Sequence, residues 1–340
     1  MQNSIKDIWI ELKKNTAKDD TSPFIKRNYN KFNSKDPVFF MIAKSLLSNE
    51  CGVLIQSSSK NMPEHYDKPL SKNFKLEEYK SEKGEFFLWF HLEKETVYED
   101  LFEVICADLI KKAISATSAE NSILSFINGI KDWQEFLKLK KNYLNEGKIK
   151  GLYAELSFMY NFLIKKCEIK EPVKYWKPYE DTHDFLIKDI SVEIKSTTSS
   201  PIKQIKINSL KQLDETLTKS LYLNLIQLNE NSGETLNELI DKIRNHLRQI
   251  SFESYYLFES KLIKEGYLDE HKDVYTKRKF SVSSTFYFPI TKDFPRIRDA
   301  DLKNININGI IDAQYEINFA SFEKYKIIEN EMINIIKKLS

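Results

Sequence analysis

The segment Asp184–Ser196, DFLIKDISVEIKS, alternates apolar and polar residues with a period of two, a pattern that suits short β-strands and not a helix. Phe185, Ile187, Val192 and Ile194 fall on one face, and Asp184, Glu193 and Lys195 on the other. A hairpin turning at Lys188 and Asp189 pairs Ile187 with Ile190, Leu186 with Ser191 and Phe185 with Val192, which sets Asp184 opposite Glu193. Like charges so placed repel by on the order of half a kcal/mol, and the arrangement is expected where a cation lies between them. Lys195, two residues beyond Glu193, overlooks the same spot. A register slip of one residue would turn Asp184 away, so the reading depends on that register.

A third carboxylate comes from the preceding helical segment, KIKGLYAELSFMYNFLIKKC. At about 100° per residue, Leu152, Leu156, Met159 and Leu163 form one apolar stripe and Glu155 lies on its flank, facing the edge of the core. A carboxylate so placed needs a lysine or a metal as partner. Oxygen ligands without a His or Cys cluster suit Mg²⁺, with Mn²⁺ able to substitute, and such sites carry phosphodiester chemistry with a lysine at the transition state. The alternative for these residues is a solvated strand face with a surface ion pair.

The rest of the chain bounds this reading. Lys and Arg (52) nearly balance Asp and Glu (50), so an anionic partner must be held by a local patch rather than a global field. Cys51, Cys106 and Cys167 are odd in number and widely spaced, which argues against a disulfide framework or structural zinc and favours a cytoplasmic setting. The amphipathic start and the shortness of the run FFLWF imply no signal peptide and no membrane partner. Strand-like PVFFMIA and CGVLIQ, a hairpin in FKLEEYKSEKGEFFLWFHL turning at Lys83 and Gly84, and helical periodicity from Glu95 to about Leu144 read as an N-terminal α+β domain over 1–145. Asn145, Glu146 and Gly147 mark the boundary, and residues 146–340 form a second domain. Its expected order is a helix, a short strand near VKYW, the two strands above, a helix INSLKQLDETLTKS capped by Ser209, and the strand LYLNLIQL. Trp9, Trp89 and Trp133 read as core.

The Asp184 to Glu193-Ile194-Lys195 spacing resembles the signature of the PD-(D/E)XK nuclease superfamily. The α-β-β-β-α-β order is that of its α/β restriction-endonuclease-like core, a mixed sheet flanked by helices, and Glu155 stands where a glutamate recurs on its first helix. GLYAEL, Trp176, HDF, VEIKST, QLD at Gln212–Asp214, LYL, EGY and FPRI together resemble one nuclease family of this superfamily, met in bacterial restriction and phage-defence gene clusters, over most of the chain. Ala154 and His183 stand where Gly and Pro are usual, and neither change removes a charged group. The resemblance implies a Mg²⁺-dependent DNA endonuclease with Asp184, Glu193, Lys195 and Glu155 catalytic, and with Asp184, Glu193, Glu155 and the Ile194 backbone holding the metal. It implies double-stranded DNA as substrate, a homodimer for double-strand cleavage and partner proteins of a defence operon. A non-cleaving DNA-binding or partner-binding subunit of a multi-gene complex is the alternative.

Candidate DNA contacts are His183, Lys203, Lys206, Gln212, Arg278, Arg296 and Arg298. Arginine forks suit phosphates and guanine edges, and three of only six arginines fall in the C-terminal region. Each has a plainer alternative: a turn residue for His183, a capping box with Ser209 for Gln212, and a solvated loop for the arginines. The N-terminal domain is left with DNA specificity, dimerisation or partner docking.

Overall fold

The computed structural model describes residues 3–14, 22–69, 74–81, 84–92, 99–139, 143–178, 182–302 and 313–338. The chain divides into two compact units, one of Met1–Lys141 with Ser251–Ser260, the other of Asn142–Ile250 with Lys261–Ser340.

The first unit is a five-stranded antiparallel sheet with helices. Helix α1 (Ile5–Lys14) precedes β1 (Phe24–Phe32), β2 (Val38–Ser45), β3 (Cys51–Ser58), β4 (Phe74–Lys80) and β5 (Glu85–Leu92), in the spatial order β1-β2-β3-β5-β4. PVFFMIA and CGVLIQ are β2 and β3, and FKLEEYKSEKGEFFLWFHL is the β4–β5 hairpin; Gly84 in its turn has φ 79°, while Lys83 lies outside the described residues. The helical stretch beyond is two helices, α2 (Glu99–Ile114) and α3 (Ala119–Leu139). It breaks at Ser115–Ser118, where the Ser118 hydroxyl accepts from the N–H of Asn121 and starts a new helix. Phe40 of the sheet stacks on Phe126 and Phe74 on Phe102 of these helices, Phe90 meets both rings at an angle, and Trp9, Trp89 and Trp133 are buried. One carboxylate sits within this packing. Glu103 of α2 accepts the N–H of Lys6 at 2.8 Å and the hydroxyl of Tyr256 at 2.7 Å, and Tyr256 in turn accepts the N–H of Ile5, so the first turn of α1 is capped from a distance.

The second unit holds the four-stranded sheet. Helix α4 (Glu146–Ser157) begins where the boundary signal stood: Asn145 is its N-cap, accepting from Lys148 N–H at 2.9 Å. It widens into π-type turns over Phe158–Ile164, with the N–H of Lys165 reaching the carbonyl of Tyr160. Then come β6 (Phe185–Ile187), β7 (Ile190–Thr197), β8 (Gln204–Ile207), β9 (Ser220–Thr235), α5 (Leu236–Ile250), α6 (Phe252–Glu265, its first residues belonging to the first unit), α7 (Lys272–Tyr275) and β10 (Lys279–Pro289). Strand β11 (Tyr315–Asn318) and helices α8 (Phe319–Phe322) and α9 (Glu329–Lys337) complete the chain. The sheet order is β10-β9-β7-β6, with β7 parallel to β9 and its other neighbours antiparallel; β8 and β11 form a separate two-stranded sheet.

Two expected elements differ. VKYW is no strand: Pro172, fixed at φ and lacking an N–H, opens a 3-10 turn over Pro172–Lys174, and Trp176 makes only an isolated bridge to Phe185. INSLKQLDETLTKS is not one α-helix but two 3-10 turns, Leu210–Leu213 and Glu215–Leu217. Ser209 caps the first through Lys211 N–H, and the Asp214 carboxylate caps the second through Thr216 N–H, which takes the chain out of helical geometry between them.

The two faces of the sheet are used differently. Leu223 and Leu225 of β9 share the face of Glu193 and Lys195, where they pack with Ile205, Ile207 and Ile317 of the small sheet and with Phe322. Phe185 and Val192 point to the other face, where Phe158 meets the Phe185 ring edge-on at 5.0 Å. Burying such side chains contributes roughly 2 kcal/mol each and fixes the hairpin in place.

Candidate active site

The β6–β7 register is Phe185↔Val192, Leu186↔Ser191 and Ile187↔Ile190, with Lys188 in the turn at φ 52°. The ladder stops there. Asp184 does not continue it as a strand partner of Glu193; its backbone carbonyl accepts Lys177 N–H at 2.7 Å, and its carboxylate accepts the N–H of Ile194 at 2.6 Å. The N–H and C=O of one strand residue point to the same edge, so the Ile194 carbonyl faces the Asp184 side as well.

Glu193 is 1 % exposed. Its Oε1 accepts from Lys195 Nζ at 2.6 Å, while Oε2 is buried and has no hydrogen-bond partner among the described residues. Burial, with the neighbouring Asp184 charge adding to it, pushes the Glu193 carboxyl up to about 8. Lys195 Nζ also donates to the Gln212 side-chain oxygen at 3.0 Å, which itself accepts Asn208 N–H at 2.9 Å. Gln212 therefore orients the lysine and is not the capping-box partner of Ser209. Burial works to lower the Lys195 pKa, but Glu193 and Asp184 outweigh it and hold the ammonium charged. Two of its three donors are committed, which leaves one N–H for a ligand.

Glu155 accepts the indole N–H of Trp176 at 2.8 Å. Burial and the Asp184 charge raise it well above the usual carboxylate range, against the pull of that hydrogen bond. Burial raises Asp184 too, countered by Lys195 and the Ile194 N–H. Trp176 ties the two acids together. Its flanking residues zip onto β6, with Leu186 N–H on the Tyr175 carbonyl, and its own carbonyl accepts from Lys261 Nζ.

These groups line one cleft of about 480 Å³, bounded by Gly147, Gly151, Ala154 and Glu155 of α4, by Asp184 and Glu193–Thr197, and by Gln204, Lys206, Asn208, Gln212 and Glu316. Of the expected site residues, Asp184, Glu193, Ile194, Lys195, Glu155, Lys206 and Gln212 come together there. His183, Lys203, Arg278, Arg296 and Arg298 do not line it. His183 is buried and Lys203 exposed. Arg278 pairs with Glu146 at 2.9 Å. Arg296 and Arg298 converge on Glu215; Arg296 also donates to the Thr291 and Phe294 carbonyls and Arg298 is also held by Asp301 at 2.9 Å, so both side chains are engaged within the chain itself. Sequence proximity showed the arginines but not their acidic partners. The cleft also contains residues that no sequence pattern assigned to the site: Gly147, Gly151, Thr197, Gln204, Asn208 and Glu316.

Among the described residues no three His, Cys, Asp or Glu side chains are already gathered as a metal shell. The donor set nonetheless fits a hard divalent cation. The cleft has four carboxylates (Glu155, Asp184, Glu193, Glu316) against two lysines (Lys195, Lys206), and one buried carboxylate oxygen, Glu193 Oε2, lacks any partner. An anion could enter only if protons or a cation offset that excess.

Residues 5–320 match the sequence model of one protein family, described as "Putative PD-(D/E)XK family member, (DUF4420)". Searches of the curated proteins and of solved structures return no match. No helix among the described residues is long and apolar enough to cross a membrane.

Proposed function

The chain belongs to this PD-(D/E)XK family, and from that membership together with the cleft we propose that it is a Mg²⁺-dependent DNA endonuclease, with Mn²⁺ able to substitute, acting in restriction or phage defence. The observation that carries the reading is the buried, unpartnered Glu193 Oε2 in a cleft shared with Asp184 and a charged Lys195. A carboxylate left in that state costs free energy that folding alone does not recover, and a cation is the partner that fits it.

In this reading Asp184, Glu193 and the Ile194 carbonyl would hold the metal, with Glu155 beside them. When bound, the cation polarises the phosphoryl group and lowers the pKa of a water. The chain's own residues do the rest. Glu193, protonated up to about 8 without metal, would have to release that proton to hold the cation. Lys195 keeps its proton and directs its remaining N–H to a phosphate oxygen, where negative charge grows in the pentacovalent transition state. Gln212 fixes the lysine's direction from the Asn208 backbone. Glu155 is held by Trp176 and stays close enough to Asp184 to share its titration. Lys206, exposed on β8, is the remaining cation of the cleft and suits a phosphate flanking the one cleaved. Double-strand cleavage by one such site per chain calls for a homodimer. The unit of Met1–Lys141 with Ser251–Ser260 is assigned to DNA specificity, dimerisation or docking of a defence partner.

The test is direct. Purified protein with Mg²⁺ or Mn²⁺ is incubated with methylated and unmethylated plasmid and phage DNA, with RNA and branched DNA in parallel, and the ends are sequenced. Cleavage that depends on metal and is lost in Lys195→Ala supports the reading; DNA left intact, or cut equally well by the variant, overturns it.

A further inference from the structure

Helix α4 enters the cleft with two glycines four residues apart, Gly147 and Gly151, followed at the same spacing by Glu155. Glycine within a helix destabilises it relative to alanine, so each needs a cause. Elsewhere in the described chain the causes are visible. Gly84, Gly233 and Gly266 have φ of 79°, 84° and 95°. A Cβ on Gly52 would lie 2.1 Å from the Phe90 carbonyl oxygen, and one on Gly129 would lie 2.5 Å from Leu109 Cδ2. Gly151 has neither cause: it is helical, and an added Cβ meets nothing within 4 Å. Gly147 meets only Asn145 Oδ1 at an ordinary 3.5 Å.

The two glycines that the fold does not require are the two that line the cleft. The same cleft contains the buried Glu193 Oε2 that lacks a partner, an independent sign that a ligand belongs there. We propose that the bare face of α4 at Gly147 and Gly151 is a substrate track, against which the backbone of the polynucleotide strand being cut lies in direct contact with the helix. This rests on the nuclease reading and adds to it where the strand runs. Four residues, about 6 Å along the helix axis, separate Gly151 from Glu155, so Gly151 meets the sugar and phosphate roughly one or two nucleotides from the cleaved bond. A side chain at Gly151 fills space that the folded protein leaves open and the strand requires. The glycine therefore lowers helix stability in exchange for access.

The prediction is an unusual pair of signs: substitution should leave the fold as stable or more so and weaken substrate binding. Full-length Lys195→Ala protein, in which binding is read without cleavage, receives Gly151→Ala or Gly151→Leu, with Asn334→Ala on α9, outside the cleft, as control. Melting temperature and affinity for labelled duplex DNA, single-stranded DNA and RNA are measured with Mg²⁺. The expected result is a melting temperature no lower than the parent's, with affinity about tenfold weaker for Gly151→Ala, weaker still for Gly151→Leu, and unchanged for the control. Unchanged affinity in the larger variant that keeps the parent's melting temperature overturns the track and leaves the nuclease reading standing. A lower melting temperature for Gly151→Ala also overturns it, because the glycine then has a structural cause. Failure of the parent to bind all three probes, together with failure of the unsubstituted protein to cut them, removes the nuclease reading and the track with it.

Discussion

Glu103 in the first unit and Glu193 in the second are both buried glutamates, 5 % and 1 % exposed. In both, burial is the largest influence and raises the carboxyl. Their partners separate them. Glu103 receives a backbone N–H and a tyrosine hydroxyl, and its charge is used to start a helix. Glu193 receives one lysine on one oxygen and nothing on the other. Burial alone therefore does not mark a functional acid; at Glu193 it is joined by a fully buried oxygen without a partner among the described residues, in a cleft shared with Asp184 and Lys195.

The strongest way to sharpen that contrast is in the rate. Lys195→Ala should lower cleavage by about 10² to 10³-fold with DNA binding retained, as loss of one transition-state contact does; single-turnover kinetics and binding measured together would check it. Glu103→Ala should instead leave the chemistry in place and cost roughly 3 kcal/mol of stability, because it strands the Lys6 N–H and the Tyr256 hydroxyl. Glu193→Gln should do the reverse, abolishing cleavage while leaving the melting temperature unchanged or higher. If both glutamates lower stability alike, the contrast fails.

A smaller effect lies in pH. Without metal, native Glu193 keeps its proton up to about 8, whereas the unfolded chain releases it near 4.5. Over that window the native state binds more protons, so this group makes stability fall as pH rises, by on the order of 2 kcal/mol once titration is shared with Asp184 and Glu155. Melting in a chelator across the window should show that slope, and Glu193→Gln should flatten it. Mg²⁺ should raise the melting temperature more above about pH 8 than near pH 6, because the cation and the proton compete for the same carboxylate. Smallest of all, Trp176→Phe keeps the ring packing and removes the N–H from Glu155. It should slow cleavage about tenfold and shift the pH profile, with little change in melting; an unaltered profile would remove Trp176 from the positioning of the site.

The site was legible in the sequence where the pattern was local. Period-two alternation and the turn gave three of the four expected β6–β7 pairs but not Asp184 with Glu193, because the ladder ends at Phe185 and Val192 and the Asp184 carboxylate turns to the Ile194 N–H; helical spacing placed Glu155 at the rim of the core. What escaped depended on contacts distant in the chain. Glu215 neutralises Arg296 and Arg298 from about eighty positions away, so the arginines read as a patch although they form a structural knot. The predicted helix over INSLKQLDETLTKS failed because the Ser209 and Asp214 side chains compete for backbone N–H groups, which periodicity does not register. Gly151 could not be singled out either: an unneeded glycine is recognisable only once the space around it is known.

The hydrogen bond from Ile194 N–H to Asp184 means that one acid of the site is also a rung of the sheet. Replacing it frays β7 whatever the protein's activity, so selection for folding alone would keep an aspartate there after catalysis had been lost. The Lys195 side chain and the open oxygen of Glu193 take no backbone N–H of the sheet, and among the described residues Lys195 bonds only to Glu193 and Gln212 of the same site. If the chain is the nuclease proposed above, a descendant that had ceased to cut would betray the loss at those two positions first, and Asp184 would be the last to drift.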